Sequence, residues 1–196
     1  TSAGLDDGRV EQVNSGRDRG AGVRVLAGET AGYAYTSDLT EGGLNAAGEA
    51  AAAAARNGGG GASTVGLAAP TWHHVNHVEV EPSGVPKSTK VELLRRIDEA
   101  ARSSAKSVVQ VSASYADSHK DVLVANTDGV LTADSITRCM SRISVVADGD
   151  TGMQTGFQSV GHTVGFETFD RVDVEALARD AARMATTKLE ARPAPS

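Results

Sequence analysis

Alternating apolar and polar residues dominate the first forty positions and predict short antiparallel strands. One segment spans residues 8–14, and a second lies around residues 23–26. The turn-forming stretch 28–30 then separates the second segment from a tyrosine-containing one at 33–35. Because the turn is short, we expect a hairpin there. The pattern predicts a meander of three strands over residues 8–37.

Helical periodicity follows three times, each time after a residue suited to cap a helix. Asp38 with Glu41, and Thr89 with Glu92, have the spacing of capping boxes, and Asp173 precedes the last periodic segment. The three predicted apolar stripes are Leu44, Ala47, Ala51 and Ala54; Val91, Leu94, Ile97, Ala101 and Ala105; and Val174, Leu177, Ala181 and Met184.

Strand patterns fill the interval between the second and third helices. Residues 109–115 place Val109, Val111, Ala113 and Tyr115 on one face, and further strands are predicted at 120–126, 130–147 and 151–164. Turn sequences at 128–129 and 148–150 separate them. Short turns cannot join parallel strands. We therefore predict an α+β fold, a two-layer sandwich of antiparallel sheets with helices packed on one face.

The connector between the first two helices, about residues 57–88, is rich in glycine and proline. Four consecutive glycines stand at 58–61, and one short extended piece is predicted at 75–80. The glycines are not followed by the Lys-Ser/Thr pair of a phosphate-binding loop. We interpret them as a flexible linker inside one domain of residues 1–196.

The composition and charge of the chain argue against several classes of function. The net charge is −6 and no basic run exceeds two residues, which argues against nucleic-acid binding. The single cysteine, Cys139, excludes an intramolecular disulfide and fits a reducing compartment. No apolar stretch approaches the roughly 20 residues of a membrane span. These features predict a cytoplasmic protein without a membrane partner.

The histidines at 73, 74 and 77 are the main candidate metal ligands. On a helix His73 and His77 would share a face, a spacing that zinc sites use. In a strand they would stand about 13 Å apart, too far for one ion. The nearby prolines favour loop or strand, so we interpret all three as surface or interface residues.

No other residue set completes a catalytic arrangement. Cys139 lies in a probable strand, where an inert buried thiol is expected, and no Gly-x-Ser-x-Gly motif is present. His119 and His162 stand alone. We therefore predict no catalytic, cofactor-binding or metal-binding residue in this chain.

Five segments together resemble the N-terminal half of TldD/PmbA-type zinc metallopeptidases, the modulator of DNA gyrase family. The central one carries Tyr-x-Asp and then Ala-Asn-Thr-Asp-Gly, with Thr127 where the family usually has Ser. The segments are Asp7–Gly16, Arg19–Val25, Gly32–Leu39, Gln110–Gly129 and Arg192–Ser196. The last of these is similar to the segment that precedes the catalytic domain in TldD-type subunits.

The resemblance implies that residues 1–196 are the domain without zinc ligands, and that the His-Glu-x-x-x-His motif would lie beyond Ser196. It further implies a zinc cofactor in the full-length enzyme, a PmbA-type partner subunit, and a shared chamber that cuts unfolded or precursor peptides. The chain alone would be inactive. Two alternatives stay open: a non-catalytic interaction domain of the same ancestry, and a metal-binding protein that uses the histidine cluster.

Two further expectations concern sheet edges. Members of the family usually begin with a helix and a first strand ahead of the position of Leu5, and we expect both to be missing here. The meander of residues 8–37 should then keep an open edge, and the chain should associate. Sequence-independent peptide binding could use main-chain hydrogen bonds at an edge. The wall of the peptide chamber would carry the hydroxyls of Ser112, Ser114, Thr132 and Ser135. Proline at Gln110 or Val124 should weaken the binding of peptides. The alternative is that these are ordinary solvated positions.

Overall fold

The computed structural model describes residues 1–56, 66–69, 71–72 and 77–191, and these form two compact units. The sheet unit comprises Thr1–Ser15, Ala69–Val124 and Leu131–Ser196, and the hairpin unit comprises Gly16–Ala68 and Ala125–Val130. The strands are β1 Ser2–Asp6, β2 Arg9–Asn14, β3 Ala21–Ala27, β4 Thr30–Thr36, β5 Thr71–Trp72, β6 Val108–Ala125, β7 Leu131–Gly149 and β8 Gly152–His162. The helices are α1 Glu41–Ala55, α2 Lys87–Ser104, α3 Thr168–Arg171 and α4 Val174–Leu189.

The sheet unit is built on one six-stranded sheet. The strands lie in the order β2-β1-β6-β7-β5, and β8 pairs with β7 along residues Cys139–Gly149. The β1–β2, β1–β6 and β7–β8 pairs are antiparallel, whereas the two-residue β5 runs parallel to β7. Among the described residues, β2 and β8 each pair on one side only, so both present an open edge.

Helices α2 and α4 cover one face of this sheet. Every second residue of β6 and β7 points toward them, so that Val111, Tyr115, Ile143 and Val145 are buried. The opposite face, which we call the outer face, is not covered by α2, α3 or α4, the described helices of the sheet unit. This arrangement confirms the predicted α+β class with helices on one side of an antiparallel sheet.

The hairpin unit packs α1 on the two-stranded sheet of β3 and β4. Ala47, Ala51 and Ala55 form the buried stripe of the helix. The turn between the strands contains Gly28 with φ of 59°, as the predicted hairpin requires. At Gly32, a Cβ atom would stand 1.9 Å from the carbonyl oxygen of Ala51, so the helix touches the strand backbone there.

The predicted meander over residues 8–37 is wrong. Strand β2 pairs with β1, a strand that the sequence analysis missed, and not with β3. Leu5 and Ala3 of β1 are buried between β2 and β6. The glycine at position 4 weakens the alternation signal, which explains the omission. Strand β2 does have an open edge, but it arises because β2 pairs with β1 on one side only.

Strand β6 is also longer than predicted. The sequence suggested separate strands at 109–115 and 120–126, but residues Val108–Ala125 form one continuous strand. The polar run of residues 118–121 conceals the continuity, because these residues are exposed. Val109 is 47% exposed and does not share the buried face predicted for it.

The two predicted capping boxes are wrong as well. The first helix is capped by Thr40, whose hydroxyl accepts from the Gly43 amide, and the second begins after Pro86 without a side-chain cap. The cap by Asp173 is confirmed, since its carboxylate accepts from the Ala176 amide at 2.8 Å. The buried stripes shift by one position at several points, leaving Leu44, Ala54 and Met184 exposed.

The predicted connector ends earlier than expected, because α2 begins at Lys87. Much of the connector, including residues 57–65 and the first two residues of the extended piece predicted at 75–80, lies outside the described residues, and residues 77–80 form no strand. In the part of the chain that the structure describes, no helix is long and apolar enough to span a membrane.

Candidate functional site

The Tyr-x-Asp segment of β6 meets a buried lysine from α2. Tyr115 and Asp117 are two residues apart and so point to the same side of the strand. Lys90 Nζ lies 2.6 Å from Asp117 Oδ2 and donates to the Pro82 carbonyl at 2.8 Å. Lys90 is 2% exposed and Asp117 9%. The pair therefore ties the first turn of α2 to the central strand.

An aromatic cluster surrounds this ion pair. The Lys90 ammonium lies 5.3 Å from the centre of the Tyr115 ring. Phe166 and Phe169 pack on the same ring with centroid distances of 5.9 and 5.6 Å. A cation over an aromatic face is stabilised more strongly when water is excluded. Lys90 thus has an anion, a carbonyl and a ring as partners in place of solvent.

The ionisation of these groups fits a structural role. Burial opposes the charge of Asp117, but hydrogen bonds from Lys90 and from the Thr1 nitrogen lower its pKa below the usual range. Burial raises the pKa of the Cys139 thiol to about 11, although a hydrogen bond from Tyr115 opposes the shift. A thiol with this pKa is protonated at neutral pH and is a poor nucleophile. The cluster holds the fold and does not form a nucleophile–base pair.

Glu167 organises the segment that enters α2. Its carboxylate accepts from the amides of Val80 and Gly165 at 3.0 Å each and from that of Glu79 at 3.3 Å. Burial raises its pKa, but these backbone hydrogen bonds outweigh burial and hold the pKa below its ordinary value. Phe166 also donates its amide to the Val80 carbonyl at 2.8 Å. The contacts fasten residues 79–80 to the end of β8.

The Asn-Thr-Asp-Gly motif forms the turn after β6. The side-chain oxygen of Asn126 accepts from the amides of Asp128 and Val130 at 3.0 and 3.1 Å. Gly129 has φ of 84°, which favours glycine. The motif is explained by turn geometry alone.

The described histidines, His77, His119 and His162, do not form one site. His73 and His74 lie outside the described residues, and His77 is exposed. His119 contacts Thr137 at 2.9 Å and Asp121 at 3.2 Å, and His162 contacts Thr168 at 2.7 Å. Among the described residues, no group of three or more His, Cys, Asp or Glu side chains could hold a metal ion. The residues present there do not fit a catalytic zinc, which needs about three protein ligands.

The four hydroxyl residues proposed for a wet wall behave differently from one another. Ser114 is exposed, whereas Ser112 donates to Asp6 and Thr132 donates to the Thr71 carbonyl at 3.1 Å. Ser135 lies beside His119 at 3.4 Å. Gln110 and Val124, where proline was expected to weaken peptide binding, lie on β6 outside the stretch Ser112–Ala116 that pairs with β1. The expected effect of proline at these positions stays a prediction.

A depression of about 400 Å³ opens beside the end of β8. It is lined by Ala116, Asp117, Ser118, Arg138, Cys139, Met140, Gly161, His162 and Thr163. Small side chains and backbone form much of this lining, and Arg138 supplies an exposed cation. The depression borders the open strand edge of β8.

Sequence reasoning missed Lys90 and Glu167. A signal for Lys90 was present: it stands four residues before Leu94 and seven before Ile97, and so continues the apolar stripe of α2. A lysine in such a stripe needs a buried anion, and Asp117 was available. Glu167 gave no comparable signal, because its partners are backbone amides distant in sequence.

Comparison with known proteins identifies the class that this fold and these motifs define. Residues 1–55 match the family model described as PmbA/TldA metallopeptidase domain 1, and residues 80–189 match the one described as PmbA/TldA metallopeptidase central domain. The chain belongs to this metallopeptidase family.

Two relatives and two solved structures illustrate the similarity. A metalloprotease of Methanothermobacter thermautotrophicus is 34% identical over 98% of this chain and 41% of its own length. A TldD homologue, also a metalloprotease, from Haemophilus influenzae is 30% identical with the same coverage of each chain. The chain thus spans about two fifths of these relatives.

The solved structures share the fold at low identity. A Thermotoga maritima protein described as a modulator of a DNA gyrase has a TM-score of 0.79 at 16% identity, covering 99% of this chain and 43% of that one. TldE from Thermococcus kodakarensis has a TM-score of 0.68 at 16% identity, covering 94% and 41%.

Proposed function

We propose that this chain is the part of a zinc-dependent peptidase subunit that lacks the zinc ligands, and that it builds a wall of the peptide chamber and the subunit interface. The observation that carries the proposal is the match of two metallopeptidase domain models to residues 1–55 and 80–189. The remaining three fifths of the relatives would supply the metal site.

The chain's own residues contribute rigidity and a binding surface under this proposal. Lys90 and Asp117 fix α2 against β6, and Glu167 fixes the entry to α2. Helices α2 and α4 both pack on the inner face of the sheet. No described helix of the sheet unit therefore blocks the outer face. A stiff, uncovered sheet can position an extended peptide for a reaction performed elsewhere in the enzyme.

We further propose that unfolded peptides bind through their main chain at the open edge of β8. Main-chain hydrogen bonds give affinity that does not depend on side chains. The depression next to this edge leaves space for alternate side chains of an added strand. Peptides with N-methylated amides at alternate positions should then bind about tenfold more weakly, while those methylated at the intervening positions should not.

The direct test uses the intact subunit together with a PmbA-type partner subunit. The pair should cut an unfolded peptide, a chelator should abolish cleavage, and zinc should restore it. The subunit without its partner should be much less active. A pair that is properly folded and zinc-loaded but leaves every unfolded peptide intact would contradict the proposal and favour a non-catalytic interaction domain.

A further inference from the structure

The outer face carries two exposed arginines beside β8 and, farther along the β6–β7 pair, Lys120 and Asp134. Lys120 of β6 and Arg138 and Arg142 of β7 occupy outward positions of their strands, and all three are exposed. None of them forms an ion pair with the described residues. Outward positions of β6 from Ser114 to Val122, of β7 from Ile136 to Val146, and of β8 from Thr155 to Gly161 contain no Asp or Glu.

This local charge is unusual for a chain whose net charge is −6. The outward acids of β7 that flank the two arginines are Asp134, four residues before Arg138, and Asp148, six residues after Arg142, which corresponds to about 13 and 20 Å in a strand. Asp117 borders the depression from the inner side, but Lys90 compensates its charge at 2.6 Å. The outward charges nearest the depression along β7 are therefore positive.

The neighbouring residues of β8 leave a path from these arginines to the open edge. Arg142 lies across from Ser159, and Met140 lies across from Gly161. Both β8 residues are small, so a long arginine side chain can reach over them. Arg138 and Thr163 line the depression at the same end of the strand. The guanidinium groups can thus meet side chains of a strand added to β8.

We propose that Arg138 and Arg142 select peptides carrying carboxylates, with Arg138 binding one carboxylate in the depression. The inference rests on peptide binding at the β8 edge, as proposed above. Arginine binds carboxylates through paired N–H groups, and the hydroxyls of Ser118 and Thr163 at the depression can add donors. The two arginines are four residues apart, about 13 Å along the strand, so the matching peptide has acidic residues at positions i and i+4.

The test compares cleavage of three peptides of equal length by the intact enzyme. One carries two Glu residues at i and i+4, on one side of an extended chain, and the other carries them at i and i+3, on opposite sides. A third carries Gln instead of Glu at positions i and i+4. It is used in two forms, one with a free C-terminus and one with an amidated C-terminus. The i, i+4 peptide should have a KM roughly two- to fivefold lower per ion pair than the Gln peptide, with kcat unchanged. High salt should reduce this difference.

Arg138→Gln and Arg142→Gln should each remove part of the preference, and the pair of changes should abolish it. Arg9→Gln is the matched control, because Arg9 is exposed on β2 and forms no ion pair with the described residues. A preference for a free C-terminus that Arg138→Gln removes would assign the depression to the terminal carboxylate instead of a side chain. Equal KM values for Glu and Gln peptides, or a preference that survives both changes, would overturn the inference while cleavage itself continues. An enzyme that cuts none of the peptides would instead contradict the proposed function.

Discussion

At the scale of single residues, the shared Tyr-x-Asp segment is explained by burial. The sequence predicted correctly that Tyr115 lies on the inner face of β6, because alternation fixes the side of each residue. It could not reveal that Lys90 completes the cluster, since that contact joins residues 27 positions apart. The result is a buried ion pair that stabilises the fold only when both partners are present.

Replacing Lys90 with methionine should destabilise the sheet unit by about 3–5 kcal/mol, because Asp117 would be left as an unpaired buried charge. Urea unfolding followed by circular dichroism measures the change. Lys87→Met on the exposed first turn of the same helix should have little effect. Adding Asp117→Asn to Lys90→Met should recover part of the loss, and strictly additive effects of the two changes would contradict the pairing.

Acid should weaken the sheet unit through Asp117 and Glu167. Both have pKa values lowered by folding, so their stabilising contribution is complete above the unfolded value near 4 and declines as pH falls through the lower folded values. The free energy of unfolding of Asp117→Asn should therefore vary less with pH between about 6 and 2. Asp150→Asn in the β7–β8 turn is the control, and identical pH profiles for the wild type and Asp117→Asn would refute this assignment.

At the scale of elements, both units use the same contact between a helix and a strand glycine. A Cβ at Gly32 would meet Ala51 O of α1 at 1.9 Å, and a Cβ at Gly156 would meet Ala181 O of α4 at 1.9 Å. In both cases the helix face is lined by small alanines. Periodicity predicted the three long helices and most of the strands, but it treats glycine as neutral. It therefore could not predict this close approach, nor the shifted stripes that accompany it.

Gly156→Ala should destabilise the sheet unit by about 1–3 kcal/mol, since α4 must move away from β8 to admit the methyl group. Gly161→Ala on the same strand is the matched control, because its Cβ would have 3.4 Å to the nearest atom, an ordinary contact. Thermal unfolding distinguishes the two. Equal melting temperatures for the two variants would show that α4 does not pack directly on the backbone of β8.

At the scale of the whole molecule, the order of elements along the chain determined the fold class. Short turns between long strands required antiparallel pairing, and this was predicted correctly for the β7–β8 hairpin. The separation of β2 from β3 was not predictable, because local alternation does not specify which strands pair. Function was accessible only through resemblance, since no residue set among those described performs chemistry alone.

We propose that residues 1–196 form part of a peptidase but do not contain its catalytic site. The most direct test of this proposal is to incubate the isolated chain with zinc and an unfolded peptide, alongside the intact subunit with its partner. We expect cleavage by the intact subunit with its partner and none by the isolated chain, because a catalytic zinc needs about three protein ligands. Cleavage that co-purifies with the isolated chain and is abolished by a chelator would contradict it.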